Sequence, residues 1–294
     1  MDRTTKGALL TLLAATLWGV SGAVAGGVFD VVSPARVAQS RAIIALVVLV
    51  PYAAHRGVLR LDGGFWKFAL LGVNLAVVNV TFFWALEALG VGPGATIQFL
   101  APIMVLGWVV VVHRIRVQAL VWSAAVAAVL GVGLVTQAWT LEATDALGVV
   151  SGLASAVAFA TYLLYGEYLG KTFQPAQIAA WGFVFASIIW LVVLPIWTFP
   201  TDIGAKAWVD LVIVGILGTA VPFIVEFAAL RLAPSGIVGV VATAEPAIGA
   251  IAAAIMLGQA LEPVQWLGVA VVVVAVATVQ RLGLSDVHPA SPIA

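Results

Sequence analysis

Asn74, Asn79, Gln98 and Glu245 stand at mid-depth in stretches that are otherwise apolar enough to cross a membrane, and Glu226 lies nearer the C-terminal end of another. Polar groups at such depth are costly, so they face a neighbouring helix, a wet cavity or one another. An amide there can simply bond an adjacent helix, which is worth about 1 kcal/mol or less, or it can hold a solute. A carboxyl can titrate, carry a coupling proton or bind an amine. The plain alternative for Glu245 is an ion pair or hydrogen bond, with Arg41 as the available partner. Asn74 and Asn79 stand five residues apart and cannot share a helix face. Asn79 shares its face with Phe82, Phe83 and Leu86, which favours it over Asn74 as a solute contact. Trp18 with Ser21, and Phe159 with Tyr162, add polar and aromatic groups at one-turn spacing. Aromatic walls suit a flat apolar side chain, and Tyr or Trp adds a hydrogen bond, though such residues also serve ordinary packing. The candidate substrate-binding set is therefore Trp18, Asn79, Phe83, Gln98, Tyr162, Phe223, Glu226 and Glu245. Pro102 and Pro246 are candidate kinks, since proline frees a carbonyl one turn back, here Gln98 and Ala242.

The elements that must position these groups are membrane helices. The 294-residue chain is 63% hydrophobic and 9% charged, too little polar surface to cover a water-soluble globule of this size. A span needs about 20 apolar residues. Reading between charged and turn-forming breaks gives ten spans, near 6–28, 33–54, 65–87, 92–113, 117–138, 146–168, 175–198, 207–230, 235–257 and 263–281. The fold class expected is all-α, with residues 284–294 a disordered tail rich in Ser and Pro. The first span, preceded by Arg3 and Lys6, also has the outline of a signal peptide, but its place in a repeat makes it a retained helix. With ten spans both termini share one side, and that side receives ten lysines and arginines against two, Arg36 and Lys206, on the other. By the positive-inside rule the termini are cytoplasmic. Trp66, Trp139, Trp197, Trp208 and Trp266 fall near span ends, as an interfacial belt requires.

The chain repeats itself. Gly7 and Pro34-Ala35 recur as Gly148 and Pro175-Ala176, displaced by 141. Ala85, Leu86, Pro102 and Trp122 recur as Ala229, Leu230, Pro246 and Trp266, displaced by 144. The repeat sets Phe223 and Glu226 against Asn79 and Phe82, and Phe159 and Tyr162 against Trp18 and Ser21. Two five-helix units, 1–140 and 141–283, each with an odd number of spans, must run in opposite senses across the membrane. Inverted repeats of this kind place a solute site near the midplane and supply two states of similar energy, one open to each face. Alternating access follows.

Composition also excludes. There is no cysteine, hence no disulfide or thiolate metal site. His55, His113 and His288 lie at span ends or in the tail and form no ligand cluster. No nucleophile–base constellation stands within a span, which argues against an enzyme and against any cofactor. Zero net charge offers no basic patch for nucleic acid. No charged filter pattern suggests a channel. The expected partners are a small-molecule substrate and the lipid bilayer, and a monomer suffices.

The stretch Ala229-Leu230-Arg231, Glu245-Pro246, Leu257-Gly258-Gln259-Ala260-Leu261-Glu262-Pro263 and Gln265-Trp266-Leu267-Gly268 resembles the EamA-type signature of the drug/metabolite transporter superfamily. Ala85-Leu86, Pro102 and Trp122 form a weaker first copy, and Leu17-Trp18-Gly19 and Arg41 match the first two helices. The likeness departs after the fourth span, where the expected turn becomes His113-Arg114-Ile115-Arg116. The resemblance covers nearly the whole chain. It implies a ten-helix exporter of small metabolites such as amino acids in a bacterial inner membrane, most like the aromatic amino acid exporters. An exporter of another amphipathic solute, a drug-like cation or a nucleoside, is the alternative.

Overall fold

Where each helix begins follows from local chemistry. Pro34, Pro175 and Pro263 each occupy the first helical position of their helix, where a missing N–H costs nothing. Asp2 caps the first helix by accepting the Thr5 N–H at 2.6 Å, a bond that holds its carboxyl below the usual carboxylate range. Gly258, at φ 68°, ends the ninth helix in the left-handed conformation that only glycine adopts freely.

The computed structural model describes residues 2–29, 31–89, 91–114, 116–140, 146–258 and 260–282. Within them the chain forms ten helical rods. These are α1 (Arg3–Gly26), α2 (Pro34–His55), α3 (Phe65–Leu89), α4a (Val91–Gln98) with α4b (Ala101–Val111), and α5 (Ala119–Val135). The second half gives α6 (Ala146–Gly170), α7 (Pro175–Val193), α8 (Gly204–Leu230), α9a (Ser235–Ala242) with α9b (Ala244–Leu257), and α10 (Pro263–Leu282). Seven runs are long and apolar enough to span a bilayer outright, and three shorter apolar helices, in α4, α5 and α10, complete the ten. The expected all-α, ten-helix fold is present. The tail at 284–294 lies outside the described residues.

Large apolar side chains point outward. Val111, Val192 and Ile255 are each at least 75% exposed, while alanines such as Ala14, Ala15, Ala125 and Ala128 are fully buried. That inversion suits a protein whose outer solvent is lipid and whose helices meet through small residues. Gly19 and Gly249 bring α1 onto α9b, and Gly131 and Gly268 bring α5 onto α10; an added methyl at any of the four would strike backbone within 3.4 Å. The five belt tryptophans are all well exposed.

The two halves interleave. α1 packs with α8 and α9, whereas α6 packs with α3 and α4. Each bundle therefore takes one helix from the other half. Two further pairings join the halves, α2 with α7 and α5 with α10. The first is stapled at both faces. Arg36 donates to Gln39 Oε1 at 2.7 Å and to Pro195 O at 3.2 Å. At the corresponding position of α7, Gln177 donates to Arg60 O at 2.6 Å.

Against this symmetry, the bundles meet on one face only. On the face bearing the termini, α6 packs on α8 and α9a, and α4b packs on α9a. The equivalent pairs on the other face, α1 with α3, α1 with α4a and α9b with α4a, show no comparable packing among the described residues. Leu163 is fully buried against Gly239, while its repeat partner Gly22 has open space around it. The molecule is closed toward its termini and parted on the opposite face.

Candidate substrate site at the bundle interface

The centre of the molecule is a cluster of aromatic rings. Trp18 meets Phe223 at 5.3 Å between ring centroids, Tyr162 meets Phe223 at 5.7 Å, and Phe183 meets Phe223 at 5.0 Å. Phe159 stacks on Tyr162 at 5.9 Å and touches Phe99 edge-on at 6.3 Å. The rings come from α1, α6, α7, α8 and the break in α4, so the cluster crosses from one bundle to the other. Offset and edge-on pairs of this kind hold by about 0.5–1.5 kcal/mol each beyond the area they bury. Trp18 and Tyr162, at 8% and 2% exposure, are walls rather than surface residues.

Two polar stations lie on either side of this aromatic layer along α8. Toward the open face, residues Ile216–Ala220 form a π-turn, one residue wider than an α-turn. Such bulges recur at functional sites because they displace backbone carbonyls from the regular ladder. Here Thr219 Oγ1 donates to Val214 O at 2.9 Å and accepts from Arg41 Nε at 2.9 Å. Arg41 Nη2 donates to Gly218 O at 3.0 Å. The guanidinium is thus held by one edge, and among the described residues the rest of its five-donor fork has no protein hydrogen-bond partner. Glu245 stands within electrostatic range of Arg41, half-buried at the start of α9b, yet no ion pair closes between them. Gly19 lies against the Glu245 carbonyl, which sets this station at the level of Trp18 and Ser21.

Toward the closed face, about 12 Å along the helix at 1.5 Å per residue, sits Glu226. It is fully buried, and among the described residues neither carboxyl oxygen has a hydrogen-bond partner. The adjacent Thr11 hydroxyl donates to Gly7 O at 3.2 Å and is the polar group next to the carboxyl on α1. The Tyr162 hydroxyl, also near Glu226, is likewise without a partner.

The structure brings Trp18, Tyr162, Phe223 and Glu226 into one cluster, with Glu245 beside it. The amides fall elsewhere. Gln98 donates to Ser155 Oγ at 2.9 Å, joining α4a to α6. Asn79 donates to Leu75 O in its own helix at 2.7 Å, and Asn74 donates across to Ala158 O at 3.1 Å. The side chain of Phe83 lies outside the described residues. Pro102 and Pro246 do not kink continuous helices. Each sits in the first turn of a new half-helix, α4b or α9b, after a break at Phe99–Leu100 or Thr243. A proline there surrenders no intrahelical bond.

Arg41 is the residue the sequence undervalued, because it read only as a counter-ion for Glu245. Its true anchor, the π-turn, has no residue signature. Thr219 was the available hint, a hydroxyl where the repeat carries Leu75.

This architecture matches known transporters. The EamA-like transporter family matches residues 5–137 and again 146–280. The threonine/homoserine exporter RhtA of Escherichia coli (strain K12) is 27% identical over 208 residues, covering 69% of this chain and 67% of RhtA. The uncharacterized transporter YwfM of Bacillus subtilis (strain 168) is 25% identical and covers 89% of each chain. The uncharacterized inner membrane transporter YicL of Salmonella typhimurium is 24% identical, covering 91% of this chain and 93% of YicL. A solved crystal structure shares the fold with a TM-score of 0.80 at 18% identity, over 95% of this chain and 99% of that one. With ten membrane-spanning rods, two copies of the repeat and nearly the whole length matched, the chain is a multi-pass membrane transporter, not an enzyme, and belongs to the EamA-like transporter family.

Proposed function

We propose that this protein exports amino acids, aromatic ones among them, or closely related zwitterionic metabolites by alternating access without ATP. The observation that carries the reading is the pair Arg41 and Glu245, opposite charges at mid-depth that face one another without joining. An α-amino acid presents a carboxylate and an ammonium group on one carbon. The free edge of Arg41 suits the carboxylate, which takes two parallel N–H donors, and Glu245 suits the ammonium. Trp18, Phe223 and Tyr162 then form the floor on which an apolar or aromatic side chain rests. RhtA, which carries threonine and homoserine in its name, supports an amino acid cargo. The charge bias supports cytoplasmic termini in a bacterial inner membrane, so the present state opens outward.

Counterflow in proteoliposomes tests this. Vesicles loaded with unlabelled amino acid should accumulate labelled phenylalanine, tryptophan or threonine saturably. The corresponding amides, which lack the carboxylate, and N-acetyl derivatives, which lack the ammonium, should compete at least tenfold more weakly. Equal competition by amines alone would instead identify a cation exporter, needing only the carboxyl of Glu245.

A further inference from the structure

Glu226 and Glu245 are both acids in the membrane interior, yet their settings differ. Glu245 is half-buried beside Arg41; Glu226 is fully buried, and among the described residues no cation lies against it. Among the described residues, α1 contributes Thr11, whose hydroxyl donates to Gly7 O and stands beside the carboxyl. α6 contributes the Tyr162 hydroxyl, and α9b contributes Glu245, a second acid rather than a cation. Arg41 is bound to the π-turn on the far side of Phe223. Of the charged groups above, on the termini face, Lys6 and Lys171 are exposed, and Arg231, Arg3 and Glu167 are engaged elsewhere. Arg231 donates to Gln174 Oε1 at 2.8 Å, Arg3 donates to Arg231 O at 3.3 Å, and Glu167 accepts the Ser235 N–H at 2.8 Å.

The lid over Glu226 is the contact that closes the termini face. Gly166 of α6 abuts Leu230 and Phe227 across the bundle interface so closely that an added methyl would overlap, while Gly7 of α1 abuts Ala233 and the Ala229 carbonyl within its own bundle. When α6 parts from the α8–α9 hairpin, the Gly166 contact separates, and water reaches the carboxyl. When they close, the carboxyl loses that water and gains no bond. Burying a bare carboxylate there costs several kcal/mol, whereas a neutral acid costs far less.

Resting on the alternating-access reading above, we propose that Glu226 is a proton-binding site of the transport cycle, filled from the termini face and required to be filled before that face can close. Closure then takes up one proton. By linkage, the ratio of closed to open molecules falls by up to about tenfold per pH unit wherever the hydrated carboxyl is ionised. Alkaline conditions on the termini side hold the face open, and acid lets it shut. Glu226→Gln keeps the shape and removes the charge, so it closes without a proton.

The test needs no substrate and therefore stands apart from the identity of the cargo. The chain has no cysteine, so spin labels on Lys6→Cys and Lys171→Cys, exposed positions on opposing bundles, report the width of the termini face alone. In lipid nanodiscs between pH 5 and pH 9, the Glu226 protein should pass from a short to a long label distance as pH rises. The Glu226→Gln protein should stay short throughout. Glu226→Asp, which retains an acid, should titrate in the same direction. A Glu226 protein whose distances ignore pH, or a Glu226→Gln protein that titrates like it, would overturn the proposal, while counterflow could still establish transport.

Discussion

The two bundles are built alike and equipped differently. The bundle of α1, α8 and α9, with α2 beside it, holds Arg41, the π-turn, Glu226 and Glu245. The bundle of α3, α4 and α6 holds amides and a hydroxyl that tie its own helices together: Gln98 to Ser155, Asn74 to Ala158, and Asn79 within α3. The repeat places Gly182, Ala101 and Phe82 where the other side has Arg41, Glu245 and Glu226. Backbone symmetry provides two states that interconvert at little cost. On the proposed reading, binding carries no such requirement, because one set of charges at the interface would be reached from either face in turn; symmetry would serve motion, and asymmetry recognition.

Substitutions can break that contrast. Removing the free guanidinium edge with Arg41→Ala should raise the KM for amino acid exchange about a hundredfold. That is the loss expected for two charge-assisted hydrogen bonds of about 1.5 kcal/mol each. Counterflow kinetics would show it, and Arg41→Lys should recover only part of the loss because ammonium lacks the fork. Phe223→Ala opens the floor between the two stations. It should weaken exchange of phenylalanine and tryptophan about tenfold while leaving threonine within a few-fold, as competition assays would reveal. Gly22→Leu supplies, on the open face, the side chain that Leu163 supplies on the closed one. It should shift the balance toward closure of the open face by about fivefold, the equivalent of about 1 kcal/mol of added burial, visible as shorter label distances there. Smallest of all, Gln98→Ala should leave KM within about threefold and lower the melting temperature by a few degrees, since its bond to Ser155 is worth about 1 kcal/mol. A large KM effect from Gln98 would dissolve the distinction between the bundles.

Much of the frame was legible in the residues. Pro34 and Pro175 announced the repeat because both start helices, a position with a strong chemical preference. The apolar runs announced ten spans because lipid enforces their length. Pro102 and Pro246 marked the right places, although the backbone breaks there rather than bends. The exchange of α1 and α6 between bundles left no trace in the sequence, since hydropathy describes each helix and not its neighbours. Trp18, Tyr162, Phe223 and Glu226 could be found by pairing the repeats. The anchoring of Arg41 could not, beyond the hint of Thr219, because the widened turn that holds it is a feature of backbone geometry. For Gln98 and Asn79 the sequence shows the polar group and hides the partner it donates to, Ser155 Oγ and Leu75 O.

Under the proposed alternating access, the two bundles close on one face as they part on the other. Label pairs on both faces test it directly, Lys6→Cys with Lys171→Cys at the termini and Val31→Cys with Ala88→Cys opposite, all at exposed positions. The account predicts reciprocal distances: as exchange substrate is added, one pair lengthens only in molecules where the other shortens. Both pairs lengthening together would describe an open pore, and would contradict it.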